Sequence, residues 1–353
     1  MAVAPHKKKL SEGDSAVTRF LKYLGKRVLI MIPQMLGITL VSFLLVRLLP
    51  GNPATAMAGS LATPETVAAI EARLGLDQPL YIQFYMYVKN VLAGDLGTSW
   101  YTSNPVANDL AVRFPATLEL ITLSMFFAIL VGVVGGSIAA IKPKGLVDRV
   151  TSGFATFAGA MPEFWIGLIF IYVFYVRLGI AAAPIGRLDL QFSSPPQVTG
   201  MILIDTLLTG NMAMFQSAVS HLILPVLTLS ITLVGPILKM SRTSMRNALD
   251  SDYIYYARMC GMKQKHIVGY SFRTALPPIV TIIAVYYGFM LGGAVLVEKV
   301  FGWGGFGQYA VQSVINKDYF AIQGFLMLAA MFSLIIYLVV DIIYMIVDPR
   351  QRP

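Results

Sequence analysis

The sequence has little of the polar chemistry on which soluble enzymes depend. Only 13% of its 353 residues are charged, and it contains one cysteine and three histidines. A single cysteine, Cys260, excludes an internal disulfide. The chain has no G-x-x-x-x-G-K-[ST] phosphate loop, no H-E-x-x-H zinc pair and no G-x-S-x-G nucleophile elbow. We therefore expect no ATP hydrolysis, no catalytic residue, no metal site and no bound cofactor in this chain.

Apolar residues dominate the sequence, making up 56% of it, and the mean hydropathy is +0.70. A helix needs roughly 20 apolar residues to cross the hydrocarbon core of a bilayer. Six stretches meet this requirement. They are residues 28–49, 117–141, 153–177, 217–238, 276–297 and 324–347. The sequence therefore predicts an all-α, polytopic membrane protein with six transmembrane helices.

The basic residues are placed unevenly along the chain. Of the 27 lysines and arginines, 19 lie before the first predicted span, after the last one, or in the loops 142–150 and 239–273. Cytoplasmic loops carry such an excess of positive charge. We therefore predict that both termini are cytoplasmic, as the basic tail 1–27 and the tail 348–353. The net charge of +9 then reports membrane topology, and we expect no nucleic-acid partner.

The segments that alternate with these loops are predicted to be extracytoplasmic, and they are too long for simple connections. They are residues 50–116, 178–216 and 298–323. In the first, Thr63-Pro64-Glu65 is typical of a helix start and Gly75 of a helix end. A second amphipathic helix is predicted between Tyr81 and Leu92. Its aromatic face suits a docking surface or the lipid headgroup layer equally well.

The loop 239–273 contains residues that are typical of helix starts and helix ends. Asp250 and Ser251 can cap a helix that begins near Asp252, and Gly261 suits the left-handed position after its end. On this helix Tyr253, Tyr256, Ala257 and Cys260 are predicted to share one face. A second helical run is predicted from Lys263 to Arg273, stopped by Pro277-Pro278. The two predicted helices are suited either to dock in a groove on a partner protein or to bind anionic lipid through Lys263, Lys265 and Arg273.

An ionisable residue in a predicted span needs a reason to be there, because it costs about 2.5–3.5 kcal/mol at mid-helix on insertion scales. Glu163 follows Pro162 inside the third span. It can face a wet path or be buried with a hydrogen-bond partner. Gly288 and Gly292 of the fifth span allow close approach of another backbone, for static packing or for sliding. These four residues are our candidates for a translocation path.

Three other polar residues are predicted to have ordinary roles. Glu119 and Asp341 lie near the ends of spans, where their carboxylates can reach the interface. His221 has no second metal ligand at i+3 or i+4, so we expect it to form a structural hydrogen bond.

Short motifs distributed from Phe20 to Arg350 resemble those of a known family. In the loop, Ala257-x-x-x-Gly261 is followed by Arg273-Thr274-Ala275-Leu276-Pro277-Pro278. Further landmarks are Pro50-Gly51-Asn52-Pro53, Leu74-Gly75-Leu76-Asp77-Gln78-Pro79-Leu80, Gly94-Asp95-Leu96-Gly97-Thr98-Ser99, His221-Leu222-Ile223-Leu224-Pro225, Phe301 through Gly307, and Asp348-Pro349-Arg350. Together they resemble binding-protein-dependent ABC importer permeases of the dipeptide, oligopeptide and nickel branch. One departure is Tyr255, which stands where the family usually has glutamate.

The resemblance implies a type I ABC importer permease fold over residues 28–347, in a bacterial inner membrane. It also implies partners: a homologous second permease, two ATP-binding cassette subunits that hold ATP and Mg²⁺, an extracytoplasmic solute-binding protein and membrane lipid. Within the loop 239–273, the residues expected to couple to the ATPases are Asp252, Tyr253, Tyr256, Ala257, Arg258, Gly261 and Arg273.

Two questions of function stay open at this stage. Peptides are the expected cargo, with nickel or another small solute as the alternative. A secondary transporter driven by an ion gradient is a different class, which Glu163 within a span permits. It would transport without ATPase partners.

Overall fold

The computed structural model describes residues 16–48, 52–59 and 62–347. Five of its helices are long and apolar enough to span a membrane. They are α1 (Ala16–Leu48), α5 (Val106–Ile141), α9 (Met212–Leu249), α11 (Gln264–Val300) and α13 (Tyr319–Val347). Within the described ranges the one pairing of β type is an isolated bridge between Thr98 and Pro105. The all-α prediction is confirmed.

The shorter helices connect the long ones. They are α2 (Pro53–Ala58), α3 (Pro64–Leu74), α4 (Leu80–Leu92), α6 (Leu146–Ala160), α7 (Glu163–Phe170), α8 (Ile202–Leu208), α10 (Asp252–Met259) and α12 (Phe306–Ile315). The two helices predicted in 50–116 are α3 and α4. As expected, the Thr63 hydroxyl caps α3 by accepting the Thr66 N–H at 3.4 Å, and Gly75 ends α3 at φ +65°.

The third predicted span is not one continuous helix. Helices α6 and α7 meet at 102°, and a π-helical turn, Ile171–Arg177, continues α7. The cause is Pro162, which has no N–H to donate and disfavours the helical conformation in the residue before it. Met161 is accordingly extended, with ψ 134°. The chain therefore has six candidate spans in its described part only when this bent pair counts as one.

Helix α9 is the centre of the bundle and packs most closely against α5. At Gly136 of α5, a Cβ atom would lie 2.6 Å from the carbonyl oxygen of Leu238 and 2.8 Å from the Cβ of Ser241. Buried residues of both helices, among them Leu120, Met125, Leu229 and Ile237, form the core between them. Absence of a side chain at Gly136 therefore sets how near the two backbones lie.

Helix α11 contradicts the prediction that Pro277-Pro278 stops a helix. It runs without interruption from Gln264 to Val300, so the second helical run of the loop is simply its first part. Prolines inside membrane helices are tolerated when neighbouring groups satisfy the freed backbone. The carbonyls that lose their donors are those of Arg273 and Thr274, whereas the Thr281 and Tyr344 hydroxyls donate to the carbonyl of Pro277, at 2.9 and 3.4 Å.

Some predictions fall partly or wholly outside the described residues. Residues 1–15 of the predicted basic tail, Pro50-Gly51 of the first landmark and the tail 348–353 are among them. In the described part, α1 begins at Ala16, twelve residues before the predicted start of the first span. Arg27 lies within this helix and pairs with Asp341 of α13 at 3.1 Å.

Candidate functional site

Helix α10 is a short element that projects between the C-terminal end of α9 and the N-terminal end of α11. Ile254, 1% exposed, is its buried residue. It packs with Met245 and Leu249 of α9 and Ile267 of α11. Burial of one such side chain contributes about 1.5–3 kcal/mol. The buried Ile254 thus anchors α10 to both α9 and α11, the two longest helices in the described part of the chain.

The remaining face of α10 is exposed and largely aromatic. Tyr256 is 71% exposed and Tyr253 is 48% exposed, but the Tyr253 hydroxyl donates to Thr274 Oγ1 of α11 at 2.9 Å. Tyr255 and Met259 project as far as Tyr256, and the sequence analysis missed them. The helical periodicity could have predicted their exposure, because most positions of an eight-residue helix face outward once Ile254 is the inward residue.

The end of α10 has the predicted left-handed glycine. Gly261 has φ +77°, and its N–H donates to the carbonyl of Arg258 at 3.0 Å. The next N–H, of Met262, donates back to the carbonyl of Ala257 at 3.1 Å. These two bonds form a Schellman motif, which satisfies the last carbonyls of the helix. Gly261 therefore fixes the angle at which the chain leaves α10 for α11.

The start of α10 differs from the prediction in detail. Ser251 is the N-cap residue, with extended backbone, but its hydroxyl donates to the carbonyl of Ala248 at 2.6 Å instead of capping the helix. Asp250 accepts from Arg246 at 2.9 Å. Asp252, Arg258 and Arg273 are exposed. None of these three forms an ion pair with any residue that the structure describes, so all are available to a partner.

Glu163 lies at the break between α6 and α7, as the first residue of α7. Its Oε1 is 3.5 Å from the hydroxyl of Thr232 on α9, and a Cβ on Gly293 of α11 would lie 4.0 Å from its carboxylate. Three helices thus meet at this acid. Gly288 and Gly292 lie on α11 near Gly293, and a Cβ on either would meet nothing within 4 Å. Of the path candidates, Glu163 thus lies close to α11, while Gly288 and Gly292 have open space beside them on the same helix.

A buried polar cluster near the other end of α11 was not predicted. Glu298, 0% exposed, accepts from the Thr117 hydroxyl and from the Gln308 N–H. Glu119, 4% exposed, accepts the N–H groups of Ile202 and Leu203 of α8 at 3.1 and 2.7 Å. The prediction that Glu119 reaches the interface is therefore wrong. Its partners lie more than 80 residues away, where no local pattern reveals them.

Arg187 is the cation nearest to this cluster. Burial lowers the pKa of Arg187 from its ordinary value, while the charges of Glu119, Glu298 and Asp205 raise it. Its Nη1 is buried and donates no hydrogen bond within the described part of the chain. The three carboxylates, on α5, α11 and α8, therefore favour the charged form of this guanidinium on the long connection after α7.

His221 has the structural role expected of it. Its Nδ1 lies 2.9 Å from the carbonyl oxygen of Ser217, and its Nε2 lies 3.7 Å from Asp189. In the described ranges, no three histidine, cysteine, aspartate or glutamate side chains gather as a metal ion would require.

Comparison with known proteins covers nearly the whole chain. Residues 132–353 match the family described as "Binding-protein-dependent transport system inner membrane component", and residues 20–121 match the N-terminal region described for such membrane components. The probable D,D-dipeptide transport system permease protein of Escherichia coli is 40% identical, over 89% of this chain and 92% of that protein. The di/tripeptide transport system permease protein of Pseudomonas aeruginosa is 39% identical, over 94% and 99%.

A third relative has a different named cargo. The glutathione transport system permease protein of Escherichia coli is 35% identical over 94% of this chain and 99% of that protein. The family model covers well over half of the chain, and each relative is matched over almost its full length. The chain therefore belongs to the family of inner membrane components of binding-protein-dependent transport systems, as a multi-pass permease of the bacterial inner membrane.

Proposed function

We propose that this chain is one of two pore-forming subunits of an ATP-driven importer for short peptides. The observation that carries the proposal is α10, an exposed helix anchored by the buried Ile254 at the junction of α9 and α11. Relatives of full length are named for dipeptides, di- and tripeptides and glutathione, which favours peptides over nickel.

The topology follows from the charge pattern. Both termini and the loops 142–150 and 239–273 lie on the cytoplasmic side, where positive charge collects. The segments 50–116, 178–216 and 298–323 then lie outside and form the surface for the solute-binding protein. A homologous permease forms the other half of the pore, and two ATP-binding cassette subunits hold ATP and Mg²⁺. No nucleic acid takes part.

Coupling is proposed to work through direct contact with α10. A groove on an ATPase subunit takes the exposed side chains of Tyr253 and Tyr256, while Asp252, Arg258 and Arg273 pair with charges around the groove. When the ATPases close on ATP, they push α10. Ile254 passes the displacement to α9 and α11, and a packed bundle responds by a shift between two discrete arrangements.

The translocation path is proposed to run along the open side of the bundle that holds Pro162, Glu163, Gly288 and Gly292. The carboxylate of Glu163 makes this wall polar at mid-bundle. The second permease covers this side and completes the pore.

The coupling proposal predicts that Gly261→Val uncouples uptake from ATP hydrolysis. Valine at φ +77° stores about 1–3 kcal/mol of backbone strain, which the end of α10 relieves by changing shape. In proteoliposomes that contain the full assembly, we expect peptide uptake to fall about tenfold or more while basal ATPase activity persists.

Gly269→Ala is the matched control, because Gly269 lies inside α11, where an added Cβ meets nothing within 4 Å. Uptake by this control should equal that of the unmodified protein. Normal uptake by Gly261→Val at equal membrane levels would refute the placement of the coupling site. Uptake by the purified chain alone, driven by an ion gradient, would instead support a secondary transporter.

A further inference from the structure

A cavity of about 450 Å³ lies between α6, α9 and α11. Its lining includes Thr156, Gly159, Pro236, Lys239 and Tyr286. Thr232, which contacts Glu163, is one helical turn before Pro236 on α9. Glu163 does not line the cavity itself; it contacts α9 about one helical turn before the lining begins, on the side away from Lys239 and α10.

The cavity and the turn of α9 that precedes it carry opposite charges that form no ion pair within the described residues. Arg242 also lines the cavity, but it pairs with Asp148 at 2.5 Å. Lys239 is exposed and forms no ion pair with any described residue. Glu163 has the Thr232 hydroxyl as a neighbour and likewise no cation within the described residues. The cavity thus presents one available ammonium group, and one available carboxylate lies beyond it, next to Thr232 on the same helix.

Part of the cavity wall consists of small residues, among them Ser152, Ala155, Gly159 and Gly235. A Cβ on Gly159 would meet nothing within 4 Å. Small residues in the wall leave space for the backbone of a solute and do not select for particular side chains. Selection on this side of the bundle therefore depends on charge.

The spacing of the charges fits the ends of a short peptide. Thr232 and Lys239 are seven residues apart on one helix, which is roughly 10 Å of rise. An extended chain of two or three residues spans about 7–11 Å. A peptide with free termini carries an ammonium group at one end and a carboxylate at the other.

We infer that Glu163 binds the ammonium terminus and Lys239 the carboxylate terminus of a short, unblocked peptide as it crosses the membrane. The inference rests on the proposed function as a peptide importer. It makes the permease a second filter, after the binding protein, that passes zwitterionic peptides and rejects blocked ones.

The test uses the complete transporter with its binding protein in proteoliposomes and compares trialanine with its N-acetylated and C-amidated forms. Each variant is compared with the unmodified transporter on the same peptide, so that selection by the binding protein cancels. Lys239→Gln should lower trialanine uptake about tenfold and change uptake of the amidated form little, because the lost charge-assisted contact exists only with a free carboxylate. Glu163→Gln should lower trialanine uptake about tenfold and change uptake of the acetylated form little, because its lost contact exists only with a free ammonium group.

Two further variants separate charge recognition from damage to the fold. Lys142→Gln removes a basic residue that ends α5 outside the cavity and should leave all three uptakes unchanged. The exchange of both charges, Glu163→Lys with Lys239→Glu, should restore part of the trialanine uptake that either single exchange removes, because a peptide can then enter in the opposite orientation.

Each outcome has one meaning. If the single variants keep the unmodified preference for free termini, or lose uptake of all three peptides equally, the inference is overturned while the peptide importer stands. If the unmodified transporter takes up no peptide at all, the proposed function itself fails.

Discussion

Two glycines in this chain serve different physical needs. Gly261 provides a left-handed backbone at the end of α10, whereas Gly136 provides the absence of a side chain where α5 meets α9. The first is visible in the sequence, because it follows a capped amphipathic run. The second is one of several glycines in an apolar stretch, and its role follows from the neighbouring helix.

At Gly136 the expected change is a loss of stability. Gly136→Ala places a Cβ 2.6 Å from the backbone oxygen of Leu238, and backbone atoms cannot move aside as a flexible side chain can. Overpacking of this kind costs about 1–3 kcal/mol. We expect a lower melting temperature for the detergent-solubilised chain. Gly25→Ala in α1, where an added Cβ has no neighbour within 4 Å, is the control, and equal melting of both variants would contradict this packing.

At the scale of single elements, α10 and the α6–α7 break show how little local structure is needed to set a site. Helix α10 has two turns and one buried residue. The break at Met161-Pro162 needs one proline, yet it turns the chain by 102° and places Glu163 where three helices meet. Both elements depend on their neighbours for position, so both should loosen when one contact is removed.

Removal of the Ile254 side chain should release α10. Ile254→Ala deletes the buried contact with α9 and α11, and truncations of this kind cost about 2–5 kcal/mol. Part of this cost appears as local opening, so we expect trypsin to cleave after Arg258 at least about tenfold faster in the detergent-solubilised chain. Tyr255→Ala truncates an exposed side chain of the same helix and should cleave at the original rate. Equal rates for both variants would show that Ile254 does not anchor α10.

At the scale of the whole molecule, the topology can be tested with the chain's one cysteine. Cys260 is exposed beside α10. We expect a membrane-impermeant maleimide to label it in inside-out vesicles that lack the ATPase subunits, and not in intact spheroplasts. Leu190→Cys in a Cys260→Ala background should show the reverse pattern, because residue 190 is exposed and lies in the segment 178–216. Labelling of Cys260 from outside would reverse the proposed orientation.

Hydropathy was sufficient to find the spans, because the requirement for about 20 apolar residues is local. Hydropathy did not reveal whether each span is one continuous helix. Pro162 and Pro277-Pro278 all lack a backbone donor, yet only the first breaks a helix, and the local sequence does not distinguish the two outcomes. Glu119 was misjudged for a related reason, since the backbone donors that satisfy it come from α8. The end of α10 at Gly261 was predicted correctly because a C-terminal glycine acts within one turn, whereas the predicted side-chain cap at its start does not form.

The uninterrupted course of α11 has a geometric consequence. Its 37 residues give a length of roughly 55 Å, enough to reach from the foot of α10 at Gln264 to the buried Glu298 near Val300. A straight body that tilts about its middle sends its two tips in opposite directions. If α11 moves in this way, one mouth of the pore narrows as the other widens. The two mouths then cannot be open at the same time, and no separate signal between them is needed.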